Sequence, residues 1–153
     1  MERTLVLIKP DGIQRALIGK IIARFEDRGL KIIGLKMIKL GAKLSKIHYS
    51  HLVAKSFYPD LEKFITHHPI IAIVLEGKEC IKVVRNMIGS TNSRSAAPGT
   101  IRGDFGISTS KNIIHGSDSL ETAKNEIRRF FKPEELFEYT LSFFEYIYAQ
   151  DEL

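Results

Sequence analysis

Two kinds of apolar pattern alternate along the chain. Leu5-Val6-Leu7-Ile8 is a continuous apolar run that ends at Lys9-Pro10-Asp11-Gly12, a strand buried on both faces followed by a turn. Leu17, Ile18, Ile21, Ile22 and Phe25 then mark one face of a helix, with Gly29 past its end as a stop. Leu30 to Leu40, rich in Ile, predicts a second, longer strand. Ser45 can cap a helix to about Lys55, and Asp60, after Tyr58-Pro59, a short one to about His67. Ile70-Ile71-Ala72-Ile73-Val74-Leu75 is a third strand, which Gly77 turns into a helix from about Glu79 to Ile88, closed by Gly89. Ser90 to Lys111 has no clear period, and a loop of that length is usually functional. Ile113-Ile114 is the last strand. Leu120, Ala123, Ile127, Phe130 and Phe131 keep helical spacing after it, until Pro133 breaks the helix. Leu136 to Tyr148 reads as an aromatic-rich helical tail, packed on the body or a neighbour.

The order is βα, β, helical hairpin, βα, β and a final helix. With the hairpin as an insertion, βαββαβ remains, a ferredoxin-like α/β (α+β) fold. The expectation is a four-stranded antiparallel sheet covered by helices, with residues 1–153 forming one domain, as the length suits.

Composition narrows this picture little. The chain is 44% hydrophobic and 27% charged, an ordinary soluble balance. No apolar run approaches the roughly twenty residues of a membrane span. Met1-Glu2-Arg3-Thr4 enters a strand almost at once, so no signal peptide is expected. Gln150-Asp151-Glu152-Leu153 is then only a chance likeness to a retrieval tail. Cys80 is the only cysteine; it forms no intrachain disulfide and fits a reducing, cytoplasmic setting. Charge says more. A net charge of +5 and a pI of about 9.3 suit a polyanionic ligand, nucleotide or nucleic acid, without choosing between them.

Candidate chemistry gathers at Asn112-Ile113-Ile114-His115-Gly116-Ser117-Asp118-Ser119. His115 stands where a strand hands over to a turn, and Gly116 permits the tight turn by accepting positive φ. Asp118-Ser119-Leu120-Glu121 fits a capping box at the start of the last helix. An imidazole is thereby set beside a helix N-terminus, its free N–H donors and the Ser117 hydroxyl. Helix N-termini attract phosphate. A nucleophile next to a phosphate site is the setting for phosphoryl transfer.

Other motifs mislead. Gly12 to Gly19-Lys20 invites a P-loop reading, but six residues separate the glycines rather than four, and Ile21 stands where a hydroxyl should meet magnesium. Asp104-Phe105-Gly106 copies a protein-kinase tripeptide without that fold's other motifs. Arg102-Gly103-Asp104-Phe105-Gly106 lacks the aromatic pair of an RNA-binding strand. His48, His51, His67 and His68 read as surface histidines, since no further ligands suggest a metal site.

The segment around His115 resembles the active-site signature Asn-x-x-His-Gly-Ser-Asp of the nucleoside diphosphate kinase family, at every fixed position. The resemblance extends over nearly the whole chain. It includes Ile8-Lys9-Pro10-Asp11-Gly12, Thr91-Asn92 and Pro98-Gly99-Thr100-Ile101-Arg102-Gly103-Asp104-Phe105, in the right order. It implies that His115 takes up the γ-phosphoryl of a nucleoside triphosphate and passes it to a second nucleoside diphosphate, in ping-pong order. It implies that Lys9 and Asn112 contact the sugar hydroxyls and that Arg85, Thr91 and Arg102 grip the phosphates, a task suited to arginine's planar fork. Phe57 matches the aromatic that stacks on the base, which confers little base preference. Tyr49 matches a hydroxyl near His115 and the phosphates, Ser117 lies beside the histidine, and Glu126 matches the carboxylate that orients the imidazole. By the same analogy the nucleophilic nitrogen is Nδ1. Mg²⁺ is expected on the phosphates, held by nucleotide and water rather than directly by protein ligands. A homo-oligomer, hexamer or tetramer, is expected as well.

Three positions depart from the family pattern. Ser93 replaces a proline, which loosens the long loop. Thr109 replaces a common valine opposite the stacking aromatic, and Ala16 replaces a common glycine and stiffens its turn. Two rivals stand beside this reading. A nucleic-acid-binding ferredoxin-like domain would bind with steep salt dependence, whereas phosphotransfer requires no nucleic acid. A catalytically silent assembly subunit would not need the intact signature and phosphate grip.

Overall fold

The computed structural model describes residues 1–152. Leu153, the end of the retrieval-like tail, lies outside the described residues. Strands β1 (Glu2–Ile8), β2 (Lys31–Ile38), β3 (Ile70–Gly77) and β4 (Ile114–Gly116) form one sheet in the order β2-β3-β1-β4. Every pairing is antiparallel. The helices are α1 (Pro10–Gln14), α2 (Ile18–Asp27), α3 (Ala42–His48), α4 (Tyr58–His67), α5 (Cys80–Ile88), α6 (Ile101–Phe105) and α7 (Leu120–Phe130). With α3 and α4 as the inserted hairpin, this is the ferredoxin-like arrangement the sequence predicts.

The continuous apolar run of β1 is explained by burial on both sides. Leu5 and Leu7 face one core with Tyr58, Ile65, Ile127 and Phe130, while Val6 and Ile8 face another with Ile21, Phe25, Val84 and Ile88. All four β1 residues are fully buried. Each such side chain contributes about 1.5–3 kcal/mol, so the two-sided sheet is the main source of stability. His115 pairs with Leu7 and therefore stands on the Leu5/Leu7 side of the sheet, where α3 and α7 lie.

Several local expectations are corrected. Helix α3 begins at Ala42, capped by the extended backbone of Gly41, so Ser45 lies inside it and is buried. The helix ends at His48, and a 3-10 turn, Ser50–Leu52, follows in place of a helix to Lys55. Pro59 falls in the first turn of α4, where its missing N–H is no loss, so the helix starts at Tyr58 and Asp60 is not its cap. The cap of α7 is Ser119, whose hydroxyl accepts from Thr122 N–H at 3.1 Å; Asp118 is one residue too early, because the chain stays extended through Ser119. Gly116 has no positive φ. Its place in β4 is one of space, since a Cβ there would come within 2.6 Å of Ile88 Cδ1.

The loop from Ser90 to Lys111 contains a 3-10 turn, Ser93–Ser95, and the short helix α6. The tail is not a helix. It runs as irregular chain with single 3-10 turns, Phe137 N–H bonded to Ile33 O at 2.8 Å and the Tyr139 hydroxyl to Ile32 O at 2.6 Å. Phe137 and Tyr146 remain exposed, so the segment lacks the continuous apolar face that would sustain a helix.

Ala16 adopts φ +54° on the exposed turn between α1 and α2, a conformation that crowds any Cβ. The turn is strained rather than merely stiff. Ala16→Gly is expected to raise stability by about 0.5–1 kcal/mol, the left-handed penalty less the extra chain entropy of glycine. Chemical denaturation checks this, and an unchanged or lower midpoint would contradict it.

Candidate active site

The ends of β1 and β4 are tied together by the residue before the histidine strand. Ile113 has φ +72°, an unusual value for a β-branched side chain. Its carbonyl accepts from Lys9 N–H at 2.8 Å, and its N–H donates to Asp11 Oδ2 at 2.9 Å. Gly12 lets the α1 backbone come close enough, because a Cβ there would lie 2.7 Å from Ile8 Cγ2 and 3.3 Å from Ile113 O. The first and last family motifs are thus one unit in space.

That unit sets out two groups of side chains. Lys9, buried, donates through Nζ to Asn112 Oδ1 at 2.7 Å and to Ser110 O at 3.1 Å, while Asn112 Nδ2 donates to Thr91 O at 2.9 Å. Burial lowers the Lys9 pKa to about 8, with nearby Arg102 adding to the effect and Asp11 opposing it. Arg102 is also buried. Its guanidinium donates to Gly89 O at 3.0 Å, Asn112 O at 3.2 Å and Ile114 O at 2.7 Å. Three of its five N–H groups are spent on the backbone, so two remain for a ligand. Arg102 therefore braces the scaffold as well as offering charge. Burial and the neighbouring Arg85 lower its pKa to about 10. Arg85 reaches from α5 to Gly116 O at 3.4 Å.

His115, part-exposed, is held from one side. Its Nε2 lies 3.0 Å and 3.1 Å from the two oxygens of Glu126, on α7. Ser117 donates to Glu126 Oε2 at 2.6 Å. Burial would raise the Glu126 pKa, but the hydrogen bond and charge of His115 and the Ser117 hydroxyl prevail and hold it below the usual carboxylate range. An ionised Glu126 fixes the Nε2–H tautomer, which leaves the Nδ1 lone pair of His115 free of this contact. Tyr49 is buried with no hydrogen-bond partner for its hydroxyl. Burial, with the Glu126 charge adding to it, pushes the Tyr49 pKa well up, so the hydroxyl stays a donor. Phe57, just before α4, and Thr91 are exposed. Thr109 spends its hydroxyl on Asn92 Oδ1 at 3.1 Å.

Sequence reasoning missed His48. It is buried, not on the surface, and its ring packs edge-on against His115 at 4.8 Å between centroids. His51 and His67 are exposed and His68 half-buried. Burial, with the positive charge of a protonated His115 adding to it, drives the His48 pKa down to about 3. The helical spacing Ser45, His48, Tyr49, Leu52 could have placed it on an inward face. Asp11 was missed too; nothing in the sequence signals that its carboxylate holds Ile113. His48, His115 and Glu126 are the one trio of potential metal ligands among the described residues. Two imidazoles do not suit Mg²⁺, which prefers oxygen ligands. Arg129, 3.3 Å from His48 Nδ1, opposes any cation there.

An oriented imidazole with a free nitrogen, set among lysine, arginine and hydroxyl donors, defines a phosphotransferase type of site. A family profile described as nucleoside diphosphate kinase matches residues 2–136. A nucleoside diphosphate kinase of Pelotomaculum thermopropionicum is 51% identical over 97% of this chain and 99% of its own length. Among solved structures, a nucleoside diphosphate kinase family protein from Babesia bovis superposes with a TM-score of 0.93 at 44% identity, covering 97% of this chain and all of its own. A halophilic nucleoside diphosphate kinase from Halobacterium salinarum, in complex with CDP, gives 0.94 at 42% identity, covering 96% and 98%. The chain belongs to the nucleoside diphosphate kinase family.

Arg102→Ala removes a clamp on three carbonyls. It is expected to cost about 2–4 kcal/mol of stability, beyond any effect on rate. Arg102→Lys should recover only part, since an ammonium lacks the planar fork. Denaturant melts read this directly, and an unchanged midpoint for Arg102→Ala would contradict the clamp.

Proposed function

We propose that the protein transfers the γ-phosphoryl of a nucleoside triphosphate, typically ATP, to a nucleoside diphosphate through a phosphohistidine on His115. The observation that carries this reading is the hold of Glu126 on His115 Nε2. It leaves Nδ1 as the nucleophile and sets a negative charge against the ring as it gains positive character.

Neutral His115 attacks the γ-phosphorus in line through Nδ1. The N–P bond forms, the bond from phosphorus to the bridging oxygen breaks, and the diphosphate leaves with that electron pair. A second diphosphate enters and takes the phosphoryl group in reverse, which is ping-pong order. Glu126 holds the ring and Ser117 holds Glu126. Arg85, the two spare N–H groups of Arg102 and the Thr91 hydroxyl are assigned to the phosphates. The buried, unpartnered Tyr49 hydroxyl suits a phosphate oxygen near His115. Lys9 and Asn112, already bonded to each other, are assigned to the sugar hydroxyls. Exposed Phe57 is left to stack on the base and gives broad base and sugar tolerance. Mg²⁺ supplies charge neutralisation on the phosphates when bound; it is assigned to nucleotide and water oxygens rather than to the His48, His115 and Glu126 trio, whose two imidazoles do not suit it.

The test is incubation with γ-labelled ATP and a different nucleoside diphosphate. The expected result is a labelled protein and a labelled new triphosphate. His115→Ala is expected to abolish both while nucleotide binding stays within about threefold, since the base, sugar and phosphate contacts remain. Phosphohistidine in that variant would sink the assignment.

A homo-oligomer, hexamer rather than tetramer, goes with this reading. Leu35 and Met37, 51% and 57% exposed, line the same side of edge strand β2, an apolar strip that suits coverage by another copy. Light scattering at micromolar concentration is expected to give a multiple of the monomer mass, and a monomer would overturn it. No described helix is long and apolar enough to cross a membrane. A single buried cysteine accords with a cytoplasmic enzyme.

A further inference from the structure

We propose that His48 is a positioning residue for phosphoryl transfer at His115, acting through the Glu126 carboxylate and itself held by Arg129. The reaction as described uses His115, Glu126 and Ser117 and gives His48 no part. The inference rests on His115 being the phosphorylated residue.

The geometry around Glu126 carries it. Its Oε2 receives Ser117 Oγ at 2.6 Å, so that oxygen is fixed by a hydroxyl. Its Oε1 has no hydroxyl. Beyond His115 it faces only His48 Nδ1, at 3.5 Å, from a side chain that is 1% exposed. A buried carboxylate keeps its charge and orientation only when both oxygens meet positive charge density. His48 Nδ1 is also 3.3 Å from an Arg129 guanidinium nitrogen. With its proton on Nδ1 the ring donates towards Glu126; with Nδ1 bare it accepts from Arg129 and draws that cation towards the carboxylate. The first state supports Oε1 through the ring; in the second the Nδ1 lone pair faces Oε1, and only the Arg129 charge beside it offsets the repulsion. The ring itself is fixed edge-on by Tyr49 at 4.5 Å and Phe130 at 5.0 Å.

The charges facing His48 keep it in this role. His51 on the 3-10 turn after its helix, His115 on β4 and Arg129 on α7 disfavour protonation, and Glu126 alone favours it. A protonated His48 would compete with His115 for Glu126. A neutral one supports the carboxylate and leaves its charge to His115. Serine and histidine thus brace the two oxygens from opposite sides, and the bidentate hold on His115 Nε2 depends on both.

The test compares His48→Phe, which keeps a ring without nitrogen, with His48→Asn, which keeps a nitrogen close to the Nδ1 position. Single-turnover phosphorylation by saturating Mg-ATP is followed across pH, with the ATP dissociation constant measured separately. His48→Phe is expected to slow phosphorylation about tenfold, the scale of a small misplacement of reacting groups, with ATP binding unchanged. The Glu126 carboxyl titration, followed by carbon-13 NMR, moves to higher pH, because Glu126 loses a partner that favours its charged form. His48→Asn restores most of the rate and the Glu126 titration. Wild-type behaviour of His48→Phe overturns the proposal. So does an equal slowing of both variants at every pH, which would mark a packing role only. If His48→Phe does not fold, Arg129→Gln carries the test: the same upward move of the Glu126 titration with slowed phosphorylation supports the proposal, and an unchanged titration and rate overturn it. Failure of the wild-type protein to label on His115 would instead remove the reading on which this one rests.

Discussion

The conformation of Ile113 is the constraint on which the site depends. A left-handed β-branched residue costs about 1–3 kcal/mol and persists only where its surroundings over-determine it. Here the Asp11 carboxylate takes its N–H, the Lys9 N–H takes its carbonyl, and the side chain is fully buried. A hydrogen bond to a charged group is worth about 1.5–3 kcal/mol, so the bond to Asp11 alone is of the size needed to offset the strain. The gain is geometric. The kink at Ile113 separates Asn112, bonded to Lys9, from His115, bonded to Glu126, within four residues of chain. The groups we propose for the sugar and for the phosphorus are set apart by one backbone feature.

The second constraint is the buried negative charge of Glu126. Its burial is costly, and the cost falls on the residues arranged around it. His115, Ser117 and His48 come from β4, the turn after it and α3, while Glu126 comes from α7. The carboxylate therefore joins three separate parts of the chain and couples the inserted hairpin to the sheet. Tyr49 directly follows His48 at the end of α3, so an error in α3 would misplace the Tyr49 hydroxyl and the support of Glu126 together.

What could be read in the sequence follows from which interactions are local. Two-sided burial gives continuous apolar runs, so β1 and β3 and the ferredoxin-like order were legible from residues alone. Spacing marked α2 and α7, and bounding glycines marked α5, nearly to their ends. The family motifs singled out Lys9, Arg102, Asn112, His115 and Glu126, which the structure brings to one end of the sheet. The errors lie where distant contacts decide. Ser119 instead of Asp118 caps α7 because Ser117 N–H is still bonded to Leu5 O, far away in sequence. His48 reads as a surface residue until α7 is packed over it. Ile113 looks like an ordinary strand residue, since only the distant Asp11 makes its φ tolerable.

The same distinction explains why the missing proline at Ser93 need not leave the long loop free. Proline would stiffen the loop through its own backbone. Here side-chain bonds within the loop and one distant ion pair do that work at several points. Asn92 accepts through Oδ1 from Arg94 N–H and the Thr109 hydroxyl, and its carbonyl accepts from Ser90 and Ser95. Arg24 pairs with Asp104, which also takes Gly99 N–H. Exposed contacts of this kind are each worth little, about 0–1 kcal/mol, and ion pairs among them weaken with salt. Arg102 differs from them because it is buried and joins Gly89, Asn112 and Ile114, the carbonyls at the start of the loop and on both sides of Ile113. The loop is thus anchored by a buried residue whose two remaining N–H groups are the ones we propose for phosphate. On that proposal loop order and phosphate contact rise and fall together, and a ligand that engages Arg102 would tighten the segment whose proline is absent.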